Sequence, residues 1–364
     1  MDVAVLGSGS WGTALAILLA RNGLDVTIFG RDHEELMIMR HTRENLKYLP
    51  GFTMPKNVTV DDIANVGDAP MTVVAVPASA VRPLLADLKG EHPLLVMASK
   101  GLELTTGLIV TDVAAEMKPD SMVAVLSGPN LAVEIVQGIP TAAVAACLDP
   151  RGADRVRSAF MCPSFRVYAS SDVKGVELAG ALKNVLAIGG GLSDGLGFGD
   201  NTKGALLARG LKEMITYGLA MGGHIETFLG IAGVGDLFAT ASSKLSRNYR
   251  LGYMIGSGKH VSDALHEIGQ ITEGLTTAEA VVHIARHHGI QIPVFETIDN
   301  VVREKIQPRG AVSLLMERFT REEGLDFGHL THQQYGGKEA EDVNDAVHEE
   351  EVIMHDDPGH DSGA

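Results

Sequence analysis

The sequence predicts an α/β protein, with an N-terminal doubly wound parallel sheet followed by an all-helical C-terminal domain. Three observations lead there. The chain opens with a short apolar strand that passes through a glycine-rich turn directly into a helix. Short apolar runs then alternate with helical patterns as far as about Ser170, and from Ser171 onward helical periodicity dominates.

In the opening unit, Asp2-Val3-Ala4-Val5-Leu6 reads as a strand and Thr13 to Asn22 as a helix, joined by Gly7-Ser8-Gly9-Ser10-Trp11-Gly12. Gly7 permits the tight turn, Gly9 lets backbone N–H groups approach a pyrophosphate, and Gly12 lets the helix lie close on the strand. The helix N-terminus then faces the phosphates, as in a Rossmann-type dinucleotide-binding unit. A second strand, Leu24 to Phe29, follows Gly23 and leads through Gly30-Arg31-Asp32 into a helix from Asp32 to Glu44. Many NAD-specific enzymes carry an acid at this strand end for the ribose 2′-hydroxyl. Arg31 instead suits a 2′-phosphate or the adenine face, so both NADP and NAD are expected cofactors. The plainer alternative is a surface arginine with Asp32 capping the helix.

Met71 to Val76, Leu94 to Ala98 and Met122 to Leu126 continue the parallel sheet, and Thr141 to Ala146 and Phe165 to Tyr168 extend it. The carboxyl ends of such strands face the ligand crevice, which singles out Pro77-Ala78-Ser79, Ser99-Lys100-Gly101 and Ser127-Gly128-Pro129-Asn130. Helices are expected over Val173 to Gly189, Lys203 to Met221, Asn248 to Ile255, Thr276 to His288, Val294 to Ile306 and Ala311 to Phe319. This gives a dinucleotide-binding domain over 1–170, a helical substrate-binding domain over 171–328 and an acidic tail over 329–364, with the catalytic crevice between the first two.

Composition narrows the class. The formal net charge is -16, and from Gly337 to Ala364 ten acids face the single base Lys338. Few aliphatic residues interrupt this stretch, which therefore reads as a solvated, disordered tail for solubility or partner contact; its histidines His348, His355 and His360 lie near carboxylates, which makes weak divalent-metal binding the minor alternative. An acidic chain without a basic stripe argues against nucleic-acid binding. No apolar run approaches the roughly 18 residues that a membrane span requires. Cys147 and Cys162 stand in apolar surroundings without metal-ligand spacing, in keeping with reduced thiols and a cytoplasmic location.

Four places in the chain carry chemistry. Lys100 closes a buried strand and points at the crevice, where its ammonium attracts a phosphorylated or carboxylated ligand. Lys183 and Asn184 interrupt an otherwise apolar helix, which is costly unless the lysine faces a polar cavity. Oxidation of an alcohol needs a base for the hydroxyl proton, and a lysine serves if burial or a nearby cation lowers its pKa. Asp236, in a glycine-flexed helix start, is placed to orient Lys183 or a substrate hydroxyl. Ser246-Arg247-Asn248 precedes a further helix, where guanidinium and backbone N–H groups can clamp one phosphate. In the plain structural reading Asp236, Ser246 and Asn248 are only caps and Glu273-Gly274 only a turn.

These residues, with Gly-Ser-Trp-Gly-Thr-Ala (Gly9 to Ala14), Tyr48-Leu49-Pro50-Gly51, Ser127-Gly128-Pro129, Leu182-Lys183-Asn184-Val185 and Gly235-Asp236-Leu237, occur in one order, and over Met1 to Phe319 the chain resembles NAD(P)-dependent glycerol-3-phosphate dehydrogenase. The resemblance implies reversible hydride transfer between NAD(P)H and dihydroxyacetone phosphate, giving sn-glycerol 3-phosphate for phospholipid synthesis. It implies Lys183 as general acid/base, and Lys100, Gly128, Asn130, Asn184, Asp236, Ser246, Arg247 and Asn248 as substrate residues. The implied cofactor residues are Gly7, Gly9, Ser10, Trp11, Gly12, Arg31, Tyr48, Lys100, Ala132, Arg247, Ile271 and Glu273. No metal is implied, and the expected assembly is a homodimer. Asn130 departs from the serine usual in the family, and the tail beyond about His329 has no counterpart in the shared pattern. A hydroxy-acid dehydrogenase of the same architecture and a non-catalytic nucleotide sensor are the competing readings.

Overall fold

The computed structural model describes residues 1–311; the acidic tail and all but the first residue of the helix expected over Ala311 to Phe319 lie outside the described residues. In chain order the strands are β1 (Val3–Leu6), β2 (Val26–Gly30), β3 (Glu44–Asn45), β4 (Leu49–Thr53) and β5 (Val58–Asp62). They continue as β6 (Met71–Val74), β7 (Leu94–Met97), β8 (Met122–Ser127), β9 (Thr141–Cys147) and β10 (Phe165–Ser170). Eight of them form one sheet in the order β10-β9-β8-β7-β6-β1-β2-β5, while β3 and β4 pair as a small ribbon. The chain starts in the middle of the sheet and winds outward in both directions, which puts the switch of direction between β1 and β6.

Side chains alternate along β1. Val3 and Val5 join a core with the helix Ser10–Arg21, and Ala4 and Leu6 join a second core on the other face with the helix Ala78–Asp87. Burial on both faces is what makes these strands read as continuous apolar runs.

The expectation of a wholly parallel sheet needs one correction, since β8 and β9 are antiparallel. The link between them holds only the five-residue helix Ala132–Val136. Such a helix rises about 7.5 Å, against roughly 20 Å for a six-residue strand, so it does not carry the chain back to the starting end of β8. The eleven-residue helix Pro150–Phe160 does, and β9 and β10 are parallel again. Further elements that the sequence pattern does not mark are β5, the β3–β4 ribbon and the helices Ile225–Leu229 and Val261–Ile268, while the helix expected to start at Asp236 runs to Ala241.

After β10 every described element is helical. Val173–Gly195 is buried without interruption from Val176 to Ser193 and forms the axis of this part, with Asp200–Ala220, Asp236–Ala241, Arg247–Gly256 and Glu273–His287 packed around it. It runs six residues past the expected end because its glycines are packing surfaces. A Cβ on Gly191 would lie 2.0 Å from Tyr249 O, and one on Gly252 would lie 2.0 Å from Ile188 O. The two backbones therefore touch, and this contact offsets the roughly 1 kcal/mol that each helical glycine costs.

Candidate active site

The glycine loop has the geometry its spacing implies. Gly7 has φ +123°, and a Cβ there would come within 2.6 Å of Ala75 O. A Cβ on Gly12 would lie 2.0 Å from Gly7 O, so helix and strand are as close as two backbones allow. Around Gly9 no protein atom approaches a Cβ position within 4 Å, which leaves the approach open to a ligand. The helix starts at Ser10, earlier than expected, with neither a side-chain cap nor an acid in its first turn, as suits an anion-binding end. Trp11 anchors this end to the sheet, its Nε1–H donating to Ala98 O at 2.9 Å. These features fit a bound dinucleotide.

Arg31 is exposed at the tip of β2, and Asp32 does cap the following helix, accepting from the N–H groups of Glu34 and Glu35. Tyr48 lies under the Lys47 ammonium, Ala132 begins the short helix after β8, and Ile271 is 52% exposed. Arg31, Tyr48, Ala132 and Ile271 thus lie on separate elements, and no hydrogen bond joins their side chains.

Around Asp236 the sequence elements converge. This residue is 1% exposed and follows a single turn of π-helix, Ile231–Gly235, of the kind that often aims a functional side chain. Asp236 Oδ1 accepts from Lys183 Nζ at 2.8 Å and Oδ2 from Lys100 Nζ at 2.6 Å. Lys100 Nζ also donates to Gly128 O at 3.0 Å, so the tips of β7 and β8 meet the helical part at one carboxylate. Thr240, one helical turn after Asp236, accepts from Lys183 Nζ at 2.5 Å and donates to Asp236 Oδ1 at 3.0 Å. Thr240 was not singled out from the sequence; its signal is the i, i+4 spacing from Asp236 on one helix face.

Two ammoniums on one carboxylate leave the cluster positive, and Arg247 adds a third cation. Burial brings the Lys183 ammonium down to about 8; Asp236 opposes this, and Lys100 and Arg247 assist it. Burial alone would raise the Asp236 carboxyl, yet Lys100 and Lys183 hold it below the usual range. Burial also lowers the Arg247 guanidinium, with Glu273 opposing. No hydrogen bond to a described residue commits the Arg247 side chain.

Neighbouring polar residues hold the frame. Asn248 Nδ2 donates to Asn184 Oδ1 at 2.9 Å, and Asn248 Oδ1 accepts from Gly274 N–H at 3.0 Å, tying three helices beside Lys183. Ser246 caps its helix by accepting from Tyr249 N–H, the plain reading of that residue. Asn130 Nδ2 donates to Ala142 O at 3.1 Å, which fixes the amide and leaves Oδ1 buried without a partner. Among the described residues no group of His, Cys, Asp and Glu could hold a metal, and no helix is long and apolar enough to cross a membrane.

The chain is similar to known proteins along nearly its whole described length. Residues 2–153 match the N-terminal model of NAD-dependent glycerol-3-phosphate dehydrogenase, and residues 172–313 match the C-terminal model. It is 43% identical to glycerol-3-phosphate dehydrogenase [NAD(P)+] of Thermoanaerobacter sp. over 328 residues, covering 89% of this chain and 99% of the relative. The protein of the same name from Streptomyces griseus is 42% identical, with 89% and 98% covered. The crystal structure of glycerol-3-phosphate dehydrogenase from Coxiella burnetii superposes with a TM-score of 0.84 at 34% identity, covering 87% of this chain and 98% of that one. D-mandelate dehydrogenase shares the fold alone, at 11% identity and a TM-score of 0.57. A positive cluster built around a lowered lysine, an open glycine cradle and matches through both halves lead to one conclusion: the chain belongs to the NAD-dependent glycerol-3-phosphate dehydrogenase family.

Proposed function

We propose that this protein interconverts dihydroxyacetone phosphate and sn-glycerol 3-phosphate as an NAD(P)-dependent dehydrogenase, with Lys183 as the general acid/base. The observation that carries the assignment of Lys183 is its buried amine, shared between Asp236 and Thr240 and lowered toward neutrality. The nicotinamide supplies a hydride to C2 of the ketone and takes it back from the alcohol. The protein handles the proton: Lys183 delivers it to the C2 oxygen during reduction, and the neutral amine removes it during oxidation. Lys100 and Arg247 offer positive charge to the substrate phosphate, with the Arg247 guanidinium suited to bidentate contact. Asn130 Oδ1, fixed as an acceptor, faces a substrate hydroxyl in this reading.

In this reading residues 1–170 bind the dinucleotide through Gly7, Gly9, Ser10, Trp11, Gly12, Arg31, Tyr48, Lys100 and Ala132, joined by Arg247, Ile271 and Glu273 from residues 171–328, the segment that supplies most of the substrate site. We further propose that the enzyme works in the cytoplasm as a homodimer and supplies the glycerol phosphate backbone of phospholipids, as its resemblance to metabolic dehydrogenases suggests.

The test follows absorbance at 340 nm with dihydroxyacetone phosphate and either NADPH or NADH. Lys183→Ala should lower kcat by at least a hundredfold, the lower end for loss of a general acid/base, while nucleotide binding persists. Equal turnover in the variant would remove Lys183 from the chemistry.

A further inference from the structure

Glu273 opens the helix Glu273–His287 and reaches across to the nucleotide-binding sheet. Its carboxylate meets the tips of β6 and β7: Oε1 lies 3.4 Å from Ala78 N–H, and Oε2 lies 3.3 Å from where a Cβ on Gly101 would stand. The β6 tip borders the switch of winding direction, where a dinucleotide lies across the sheet, and β7 is the next strand. A carboxylate withdrawn from water stays ionised where hydrogen bonds or an opposite charge replace the lost hydration. Glu273 has one long hydrogen bond. The nearby hydroxyls of Thr272 and Thr277 are buried and make no hydrogen bond.

The charges around it do not make up the deficit. From the helix Arg247–Gly256 only Arg247 faces it, and in the proposed reaction that guanidinium is taken by the substrate phosphate. Lys100, at the tip of β7, and Lys183, on the central helix, are both engaged by Asp236. Arg82, on the helix after β6, is bound to Glu103 and Glu116. On its own helix and the packed helix Pro293–Val302, Glu279, Glu296 and Asp299 are paired with Arg303 and Arg286. Withdrawal from water accordingly pushes the Glu273 carboxyl up to about 7, against the Ala78 N–H and Arg247.

Resting on the cofactor site proposed above, we propose that Glu273 enters the cofactor complex as a neutral carboxylic acid, donating a hydrogen bond to an oxygen of the bound dinucleotide. Each dinucleotide bound to ionised protein then draws one proton from solvent onto Glu273 and returns it on release. An ionised side chain would present two acceptors, and a negative charge, to a ligand that already carries the pyrophosphate charges. The acid form removes that repulsion and supplies a donor.

The test measures the Kd of NADH by its fluorescence between pH 6 and 9; NADH lacks the 2′-phosphate and does not itself titrate there. Kd for the wild-type protein should rise about tenfold from pH 6 to pH 8. Glu273→Gln, an uncharged donor of the same shape, should bind about as tightly at every pH as the wild type does at pH 6. A flat wild-type profile, or an undiminished slope in the glutamine variant, overturns the proposal. Calorimetry of the wild type at pH 7.5 in two buffers of different ionisation enthalpy, which needs no variant, should show uptake of most of one proton, and zero uptake overturns the proposal. If NADH fails to bind at any pH, the cofactor-site reading falls with it, whereas tight but pH-independent binding sinks only the role of Glu273.

Discussion

Replacing Gly252 with alanine should damage both stability and catalysis, although Gly252 touches no ligand. Its Cβ would stand 2.0 Å from Ile188 O, 2.8 Å from Ile188 C and 2.9 Å from Leu192 N. Side-chain Cβ atoms do not approach other atoms within 3.0 Å, so the backbones must part by at least 1.0 Å, with no rotamer available to absorb the change. The upper part of the overpacking range, about 3 kcal/mol, is the expected loss, or about 4 °C in Tm for a chain of this size. Arg247 and Asn248 ride on the displaced helix, whereas Lys183 and Asn184 ride on the other. A misplacement of 1 Å costs on the order of a hundredfold, so kcat/KM should fall by about that factor. Gly204→Ala is the control, because its Cβ meets nothing within 4 Å at an exposed helical position. That variant should match or slightly exceed wild-type stability. The assay pairs a thermal melt with 340 nm kinetics on both variants, and a Gly252→Ala enzyme matching wild type in both refutes the contact argument.

Two further expectations concern single polar groups. Thr240→Val keeps the shape but removes the hydroxyl between Lys183 and Asp236; hydrogen bonds to charged groups contribute about 1.5–3 kcal/mol, so kcat should fall roughly tenfold to a hundredfold, and an unchanged kcat would show that Asp236 alone positions the amine. Glu177 is 5% exposed, and burial raises its carboxyl to about 8, against the hydrogen bonds it accepts from the Thr111 N–H and hydroxyl. The folded protein therefore holds a proton that the unfolded chain releases near the ordinary glutamate value, and the stability tied to it is lost as pH rises from about 4.5 to about 8. Denaturant titrations should show this contribution as a slope of about 1.4 kcal/mol per pH unit, absent in Glu177→Gln; equal slopes in the two proteins would refute it.

Much of this arrangement is legible in the residues because burial on both faces writes β1, β6 and β7 as apolar runs, and because close backbone contact at Gly7 and Gly12 admits nothing larger. Strand direction is not written in strand composition, so the antiparallel turn at β9 had to come from the length of the connection. The edge strand β5, Val-Thr-Val-Asp-Asp, ends in charges because only β2 covers it, and it carries a weaker apolar signal. In the site, the lysine in an apolar helix and the aspartate after a glycine pair stood out individually. Their meeting with Lys100 joins residues 136 positions apart, which no local pattern encodes. The pairing of Asn184 with Asn248 was hidden for the same reason, since each alone reads as a cap or a ligand group.

One carboxylate binding two lysines has a consequence for how the chain becomes an enzyme. Lys100 leaves the ribosome long before Asp236, and until the helical residues fold against the sheet its ammonium at the tip of β7 has no carboxylate partner there. The nucleotide cradle, by contrast, is built from contacts that lie within the first hundred residues. The glycine loop should therefore reach its folded geometry in the growing chain before the catalytic cluster is assembled. The ion pair that completes the site is among its most distant contacts in sequence and so among the last to form.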